Sequence, residues 1–517
     1  MCGICGIFNL GDGAPPDSAL LRRMVAALRH RGPDGNGGYG DRHILLGHSR
    51  LAIIDLSGGA QPMSNEDDSL WVVFNGEIFN YLELGEELKQ AGHRFRSRSD
   101  TEVLLHAYEQ WGPTFVERCN GQFAFALWDR PQRRLMLCRD RVGILPLYYA
   151  QHGQRLFFAS EIKALLQEPE LPRRLDPRGL AEVFTFWTPV PPRTALTGIR
   201  QLRPGTLLLV EQGGRTEEKE YWQPVFPEQR PGFAHAGDER LAELAAGLRD
   251  RLEEATRLRM LRSDVPVGVY LSGGLDSSVI AALVRRFHQG PLRTFSLRFE
   301  HPDFDEGAFQ QEMVQRLATE HSAVEVGYRA IARWFPEVIQ ATETPVLRTA
   351  PAPLFLLSGL VRQNGFKVVL TGEGSDEFLA GYDLFREDKV RRFWARCPGS
   401  QLRPLLLGRL YPWMVRAPAQ AQALQRSFFG RGLAELEMPH FSHIPRWSST
   451  AGLQRLFSRE LLAALAGFSP VEELVSRLPP EANRWEPLCR AQYLEITTLL
   501  SGYLLSSQGD RMLMGHS

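Results

Sequence analysis

Short apolar runs, broken by glycine, proline and aspartate, fill the first part of the chain. Gly3 to Leu10, His43 to Ile54, Leu70 to Phe74, Phe123 to Trp128, Arg134 to Cys138 and Arg155 to Ala159 read as strands. Ser18 to Arg29 and Thr101 to Trp111 carry helical spacing. This mixture predicts an α+β unit with strands packed on strands. Phe226 to Asp238 holds two prolines and two glycines and little periodicity, as a linker does. Beyond it the pattern changes. Leu241, Leu244, Leu248, Leu252 and Ala255 recur at helical spacing, so Glu239 to Leu261 is a predicted amphipathic helix. Val265 to Leu271 is an apolar run suited to a buried parallel strand, and a helical stretch, Val279 to Arg286, follows. Further strands are expected at Thr294 to Phe299 and Lys367 to Leu370. Strands alternating with helices predict a doubly wound parallel sheet, whose ligands sit where strand ends meet helix starts. Phe385 to Pro480 is helical and Arg-rich, without a legible motif. No internal repeat is evident.

A length of 517 residues implies two or three domains. Lys+Arg and Asp+Glu both total 60, so no global field favours nucleic acid or an anionic membrane. Six cysteines are too few for a disulfide scaffold and point to a reducing compartment. No stretch approaches the ~20 uninterrupted apolar residues of a membrane span; Leu402 to Val415 comes nearest and is interrupted by Arg403, Pro404, Arg409 and Pro412. The first ten residues lack a basic region and a cleavage site, unlike a signal peptide. A soluble cytoplasmic protein is the expectation.

Cys2 becomes the first residue once Met1 is removed. A terminal cysteine joins a thiol to an α-amine of reference pKa roughly 7.7 to 8.0, so the amine can take the thiol proton. A lone cysteine is more often a small buried residue. The Cys2, Cys5 spacing also invites a zinc or redox reading, but no second cysteine pair or close histidine pair completes a metal set. The company decides. RHRGPDG (Arg29 to Gly35), GHSRLAIID (Gly47 to Asp55), FNGEIFNY (Phe74 to Tyr81), SDTEVL (Ser99 to Leu104), GQFAFALWD (Gly121 to Asp129) and RDRVGILPLYY (Arg139 to Tyr149) occur in order. The run resembles the class II glutamine amidotransferase domain, and the resemblance covers nearly all of the first ~165 residues.

That resemblance implies an N-terminal-nucleophile fold, an αββα sandwich, over residues 1–225. It implies that Cys2 attacks the glutamine side-chain carbonyl, and that the Asn75 amide and Gly76 N–H form the oxyanion hole. Asn75-Gly76 is also the sequence of a plain hairpin turn, but Glu77 directly after it, in this company, favours the oxyanion reading. Arg50 is expected to grip the glutamine α-carboxylate, Glu77 and Asp100 its ammonium, and Leu51, Ala52, Ile53 and Ile54 to wall the site. Arg31 and Asp34 fit an ordinary turn and a substrate loop equally well. Leu145 stands where many relatives carry Lys.

Ser272-Gly273-Gly274-Leu275-Asp276-Ser277-Ser278 lies between a predicted strand and a helix. Its glycines admit a close anion, helix-start N–H groups point at it, and Asp276 can hold Mg²⁺. The loop lacks the Gly-Lys-Ser/Thr ending of a Walker A sequence, which suits pyrophosphate release better than γ-phosphoryl transfer. It resembles the PP-loop of the ATP pyrophosphatase superfamily. TGEGSDE (Thr371 to Glu377) follows another strand, as in the asparagine synthetase family. The resemblance implies that Glu373 acts at the acyl-adenylate and that Asp376 shares Mg²⁺ with Asp276. Leu271, Leu297, Thr371 and Gly372 match ATP-contacting positions. Arg511, where the family often has Lys, is expected on the phosphates, and Arg348 is a candidate anchor for the acceptor carboxylate or a structural arginine.

Relatives continue with a segment like VEGRxPFLD. The expectation is that the second domain, residues 239–517, stops short, with intact glutaminase machinery and impaired synthesis. The expected partners are glutamine, aspartate and ATP with Mg²⁺, without nucleic acid or membrane, and a homodimer as the assembly. Asparagine synthesis is the leading activity. Amidation of another carboxylate (a peptide, sugar acid or natural-product precursor) and a non-catalytic or glutaminase-only relative stay open.

Overall fold

The computed structural model describes residues 1–11, 13–228, 237–416 and 418–517. Two six-stranded antiparallel sheets make the first unit. One has Gly3–Asn9 between Arg155–Ala159 and Ile44–Arg50; the other has Gly121–Asp129 between Arg134–Arg139 and Leu70–Ile78. Period-two alternation splits the strands' side chains. Val73, Ala124, Ala126 and Trp128 turn inward against Ile4, Phe8, Ile44 and Leu46 of the facing sheet. Val72, Phe74, Phe123 and Phe125 turn outward under the helix Asp100–Trp111. The helix Ser18–Ala27 covers the opposite sheet through Leu20, Leu21 and Met24. This is the expected αββα sandwich.

The second unit holds a four-stranded parallel sheet in the order Glu320–Val326, Arg293–Phe299, Val267–Tyr270, Val368–Leu370. Helix Leu275–Phe287 packs Ala281 and Val284 on Val267, Val269 and Leu271. On the other face, Leu357 and Val361 of helix Pro351–Gln363 meet Phe295 and Tyr270. Both faces are covered, as a parallel sheet requires.

Several expectations are corrected in detail. The strand expected to run to Ile54 ends at Arg50, because Leu51, Ile53 and Ile54 turn aside to pack on Cys2. Gly35–Gly40, which follows the Gly-Pro-Asp-Gly stretch and carries no apolar run, is an edge strand. It needs glycine, since a Cβ on Gly37 would lie 1.8 Å from the Gln61 carbonyl. Glu320–Val326 went unread because its residues are mostly half-exposed and carry no continuous apolar run. The helix Asp238–Leu261 leaves Leu241, Leu244 and Leu248 exposed; its buried residues, Thr256 and Leu258, lie in its second half. Most of the expected linker, residues 229–236, lies outside the described residues. No described helix is long and apolar enough to cross a membrane.

Candidate active site

Cys2 immediately precedes the central strand Gly3–Asn9 and is buried. The Leu51 N–H donates to its Sγ at 3.4 Å, and the thiol faces the Leu51 carbonyl at 3.6 Å. Burial pushes the thiol up and pulls the Met1 amine below its ordinary value, while the nearby amine draws the thiol partly back. Arg31 Nε donates to the Cys2 carbonyl at 3.0 Å, a role no motif announced.

Around Cys2 a small cavity is lined by Arg50, Leu51, Ala52, Ile53, Ile54, Gly76, Glu77 and Asp100, together with Gln61 and Met1. Its volume is about 30 Å³, room for little more than water. Asn75 is fully buried, and neither its amide nitrogen nor its oxygen has a partner. Gly76 has φ of 151°, and a Cβ there would lie 2.2 Å from the Gln122 carbonyl. Asn75-Gly76 is therefore not a hairpin turn: both residues sit inside the strand Leu70–Ile78. The Arg50 guanidinium donates to the carbonyls of Asp55 at 2.6 Å and Leu56 at 3.0 Å, which aims it without neutralising it. Burial raises the Asp100 carboxyl to about 7 and also raises Glu77. Two buried acids with raised pKa values beside a cavity suit a cation arriving with its ligand. Gln61 had no legible signal; its side chain accepts from Phe74 N–H at 2.6 Å.

At the parallel sheet, Ser272 to Ser278 join strand Val267–Tyr270 to helix Leu275–Phe287. Gly273 has φ of 87°, and a Cβ would meet Phe309 Cβ and Gln310 N at 2.9 Å. A cavity of about 270 Å³ opens there, lined by Leu271, Ser272, Asp276, Ser277, Leu297, Thr371, Gly372, Glu373 and Asp376. Gly273, Gly274, Leu275 and Ser278 belong to the same loop and helix start without lining the cavity. Burial and mutual repulsion among Asp276, Glu373 and Asp376 raise Glu373 and Asp376. Carboxylates facing such a cavity are oxygen donors of the kind Mg²⁺ takes, one or two at a time beside phosphates.

Two expected members lie elsewhere. Arg511 is 2% exposed and ion-paired to Glu161 at 2.9 Å and Glu343 at 3.2 Å, so its charge is already met and it does not line the nucleotide cavity. Arg348 lines a neighbouring cavity instead. Arg31 resolves toward structure: it pairs with Glu161 at 2.7 Å and with Asp510 at 2.6 Å. Asp34 pairs with Lys367 at 2.6 Å and takes the Ala52 N–H at 2.8 Å.

A third cavity, about 190 Å³, lies between the units. Met1, Leu51 and Glu77 line it on the Cys2 side, and Thr371 and Glu373 on the nucleotide side. Its wall includes Ile53, Val361, Val368, Leu504 and Met514.

Residues 1–222 match a family described as glutamine amidotransferase domain, and residues 247–517 match one described as asparagine synthase. The chain is 30% identical over 520 residues to asparagine synthetase (glutamine-hydrolysing) 1 of Bacillus subtilis, covering 100% of this chain and 78% of that protein. It is 32% identical over 524 residues to amidase chyE of Penicillium rubens, covering 96% of this chain and 75% of that protein. Among solved structures, glutamine phosphoribosylpyrophosphate amidotransferase from B. subtilis is a distant likeness, at a TM-score of 0.32 and 16% identity, covering 62% of this chain and 65% of that one.

Proposed function

This chain belongs to the glutamine-hydrolysing asparagine synthetase family, and from that premise we propose that it hydrolyses glutamine at Cys2 and spends the ammonia on an ATP-activated carboxylate. The observation that carries the reading is the cavity between the units, which touches Glu77 and Met1 on one side and Glu373 on the other. Ammonia released into water near neutral pH becomes ammonium and stops being a nucleophile. A sheltered, largely apolar passage keeps it neutral.

The reading divides the chain into a glutaminase part, 1–225, a joining segment, 226–238, and an ATP-using part, 239–517. Removal of Met1 places the α-amine on Cys2 and enlarges a cavity that Met1 now lines. The amine takes the thiol proton, Sγ attacks the glutamine amide carbon, and the oxyanion is met by Asn75 and Gly76. Arg50 holds the substrate carboxylate, and Glu77 and Asp100 its ammonium. Ammonia leaves, and water releases glutamate from the thioester. In the second site Ser272 to Ser278 bind the pyrophosphate of ATP, and Thr371, Gly372, Leu271 and Leu297 hold the nucleotide. Asp276 and Asp376 would hold Mg²⁺, which neutralises phosphate charge when bound. Glu373, whose carboxyl is raised by burial and by the charges of Asp376 and Asp276, lines both the nucleotide cavity and the one between the units and can take the proton that the attacking ammonia sheds. AMP then leaves.

Asparagine is the product in the name of the B. subtilis relative, and aspartate is then the acceptor. A second reading keeps the chemistry and changes the acid. It is favoured by a cavity of about 340 Å³ with aromatic walls beside the nucleotide cavity, more room than aspartate needs.

The test is pyrophosphate release with glutamine, Mg-ATP and a panel of carboxylic acids. Cys2→Ala is expected to abolish glutamine-driven amide formation and leave the ammonia-driven reaction. Loss of both would contradict two separate sites, and intact mass showing Met1 retained in active protein would sink the role of the terminal amine.

A further inference from the structure

Tyr382 lines two cavities at once. One is the nucleotide cavity; the other, of about 340 Å³, is walled by Trp187, Tyr411, Trp447 and Tyr503. Most charged groups facing the second are already answered. Arg446 makes a two-pronged pair with Glu387 at 2.6 and 2.9 Å, Glu495 meets His443 at 3.1 Å, and Asp383 meets Arg386 at 3.6 Å. Arg348 is different. It is exposed at the cavity mouth; among the described residues its guanidinium has no carboxylate and no hydrogen-bond acceptor, and it lies over the Trp187 ring at 4.7 Å from the centroid. Beside it the Tyr503 hydroxyl is buried and has no hydrogen-bond partner. The Trp187 and Tyr503 rings are 6.1 Å apart. Trp187 itself is held at φ of 73°, a backbone conformation a bulky residue adopts only under constraint.

A cation met only by solvent and an aromatic ring, beside a buried hydroxyl without a partner, forms a receptor for an anion carried on an apolar body. We infer that this cavity is the acceptor subsite, and that it takes an aromatic-bodied dicarboxylic acid in preference to aspartate. One carboxylate passes Tyr382 to reach Glu373 and the nucleotide, the ring lies among Trp187, Trp447 and Tyr503, and the second carboxylate meets Arg348 and the Tyr503 hydroxyl. Aspartate would leave most of the aromatic wall against water. The inference rests on the amidation reading above.

The probes are N-benzoyl-L-glutamate and L-aspartate, titrated calorimetrically against the full chain saturated with a non-hydrolysable ATP analogue and Mg²⁺. N-Benzoyl-L-glutamate is expected to bind at least about tenfold more tightly than aspartate. Arg348→Ala should weaken it by about tenfold or more, Arg348→Lys should recover part of that, and Tyr503→Phe should lose a smaller part. Melting curves of the three variants separate these losses from misfolding. Tighter binding of aspartate, or indifference of N-benzoyl-L-glutamate to both Arg348→Ala and Tyr503→Phe, overturns the subsite and leaves amidation standing. If neither acid binds and no acid releases pyrophosphate, both readings fall.

Discussion

Asp100 and Asn75 show how much of this chemistry is set by what single buried groups lack. The Asp100 carboxyl accepts one backbone bond, from Ile78 N–H at 3.0 Å, and has Glu77 for a charged neighbour, so burial holds it near 7. Above that value it is an anion that a ligand ammonium can neutralise; below it, the site must first give up a proton. The KM for glutamine should therefore rise as pH falls below about 7, by up to about tenfold per unit, and Asp100→Asn should flatten that dependence while raising KM throughout. Steady-state glutaminase kinetics between pH 5 and 8 check it, and a KM independent of pH would remove Asp100 from substrate binding. Both residues were legible as types, through SDTEVL and FNGE. Their isolation was not, because it depends on which chain segments surround them.

At the scale of elements, the proposed binding falls to loops at strand ends, and glycines let those loops form. The Ser272 to Ser278 turn brings Gly273 against Phe309 and Gln310, where a side chain has neither space nor a comfortable backbone. Gly273→Ala should weaken ATP binding by at least about tenfold and leave glutamine hydrolysis intact, measured by nucleotide titration beside a glutaminase assay. Unchanged nucleotide affinity would move the phosphates away from this loop. Another element was not foreseen at all. Glu495–Asp510 is a π-helix of 16 residues. It presents Tyr503 to the aromatic cavity, Leu504 to both that cavity and the one between the units, and Asp510 to Arg31. Its sequence, EITTLLSGYLLSSQGD, contains nothing to separate it from an ordinary buried α-helix, since the wider winding is chosen by the partners around it.

Across the whole molecule, charge pairs stitch the two units together close to Cys2. Arg31, which holds the Cys2 carbonyl, is gripped by Asp510 from the second unit. Arg511 reaches back to Glu161, and Glu343 accepts the N–H groups of Ile162 and Lys163 at 2.8 and 2.7 Å. The groups in this cluster are nearly all buried, so removing one leaves its partner stranded. Asp510→Ala should cost about 3 kcal/mol in denaturant unfolding and lower glutaminase kcat, although it lies in the second unit. Stability and kcat both unchanged would show that Arg31 acts without Asp510.

The chain's own order of residues determined the two fold classes and marked Cys2, Asn75-Gly76 and the Ser272 to Ser278 turn as candidates. Strand faces and turns depend on neighbours within a few positions: alternation sets a strand's faces, and a glycine pair sets a turn. Tertiary structure alone decided that Arg511 locks the interface, that Arg348 faces an aromatic cavity, and that the space between the units joins Glu77 to Glu373. Arg31 and Asp510 stand 479 positions apart, and no local pattern encodes which distant charge a buried arginine will meet. That choice belongs to packing, where a charge taken from water must find its opposite wherever the fold has carried it.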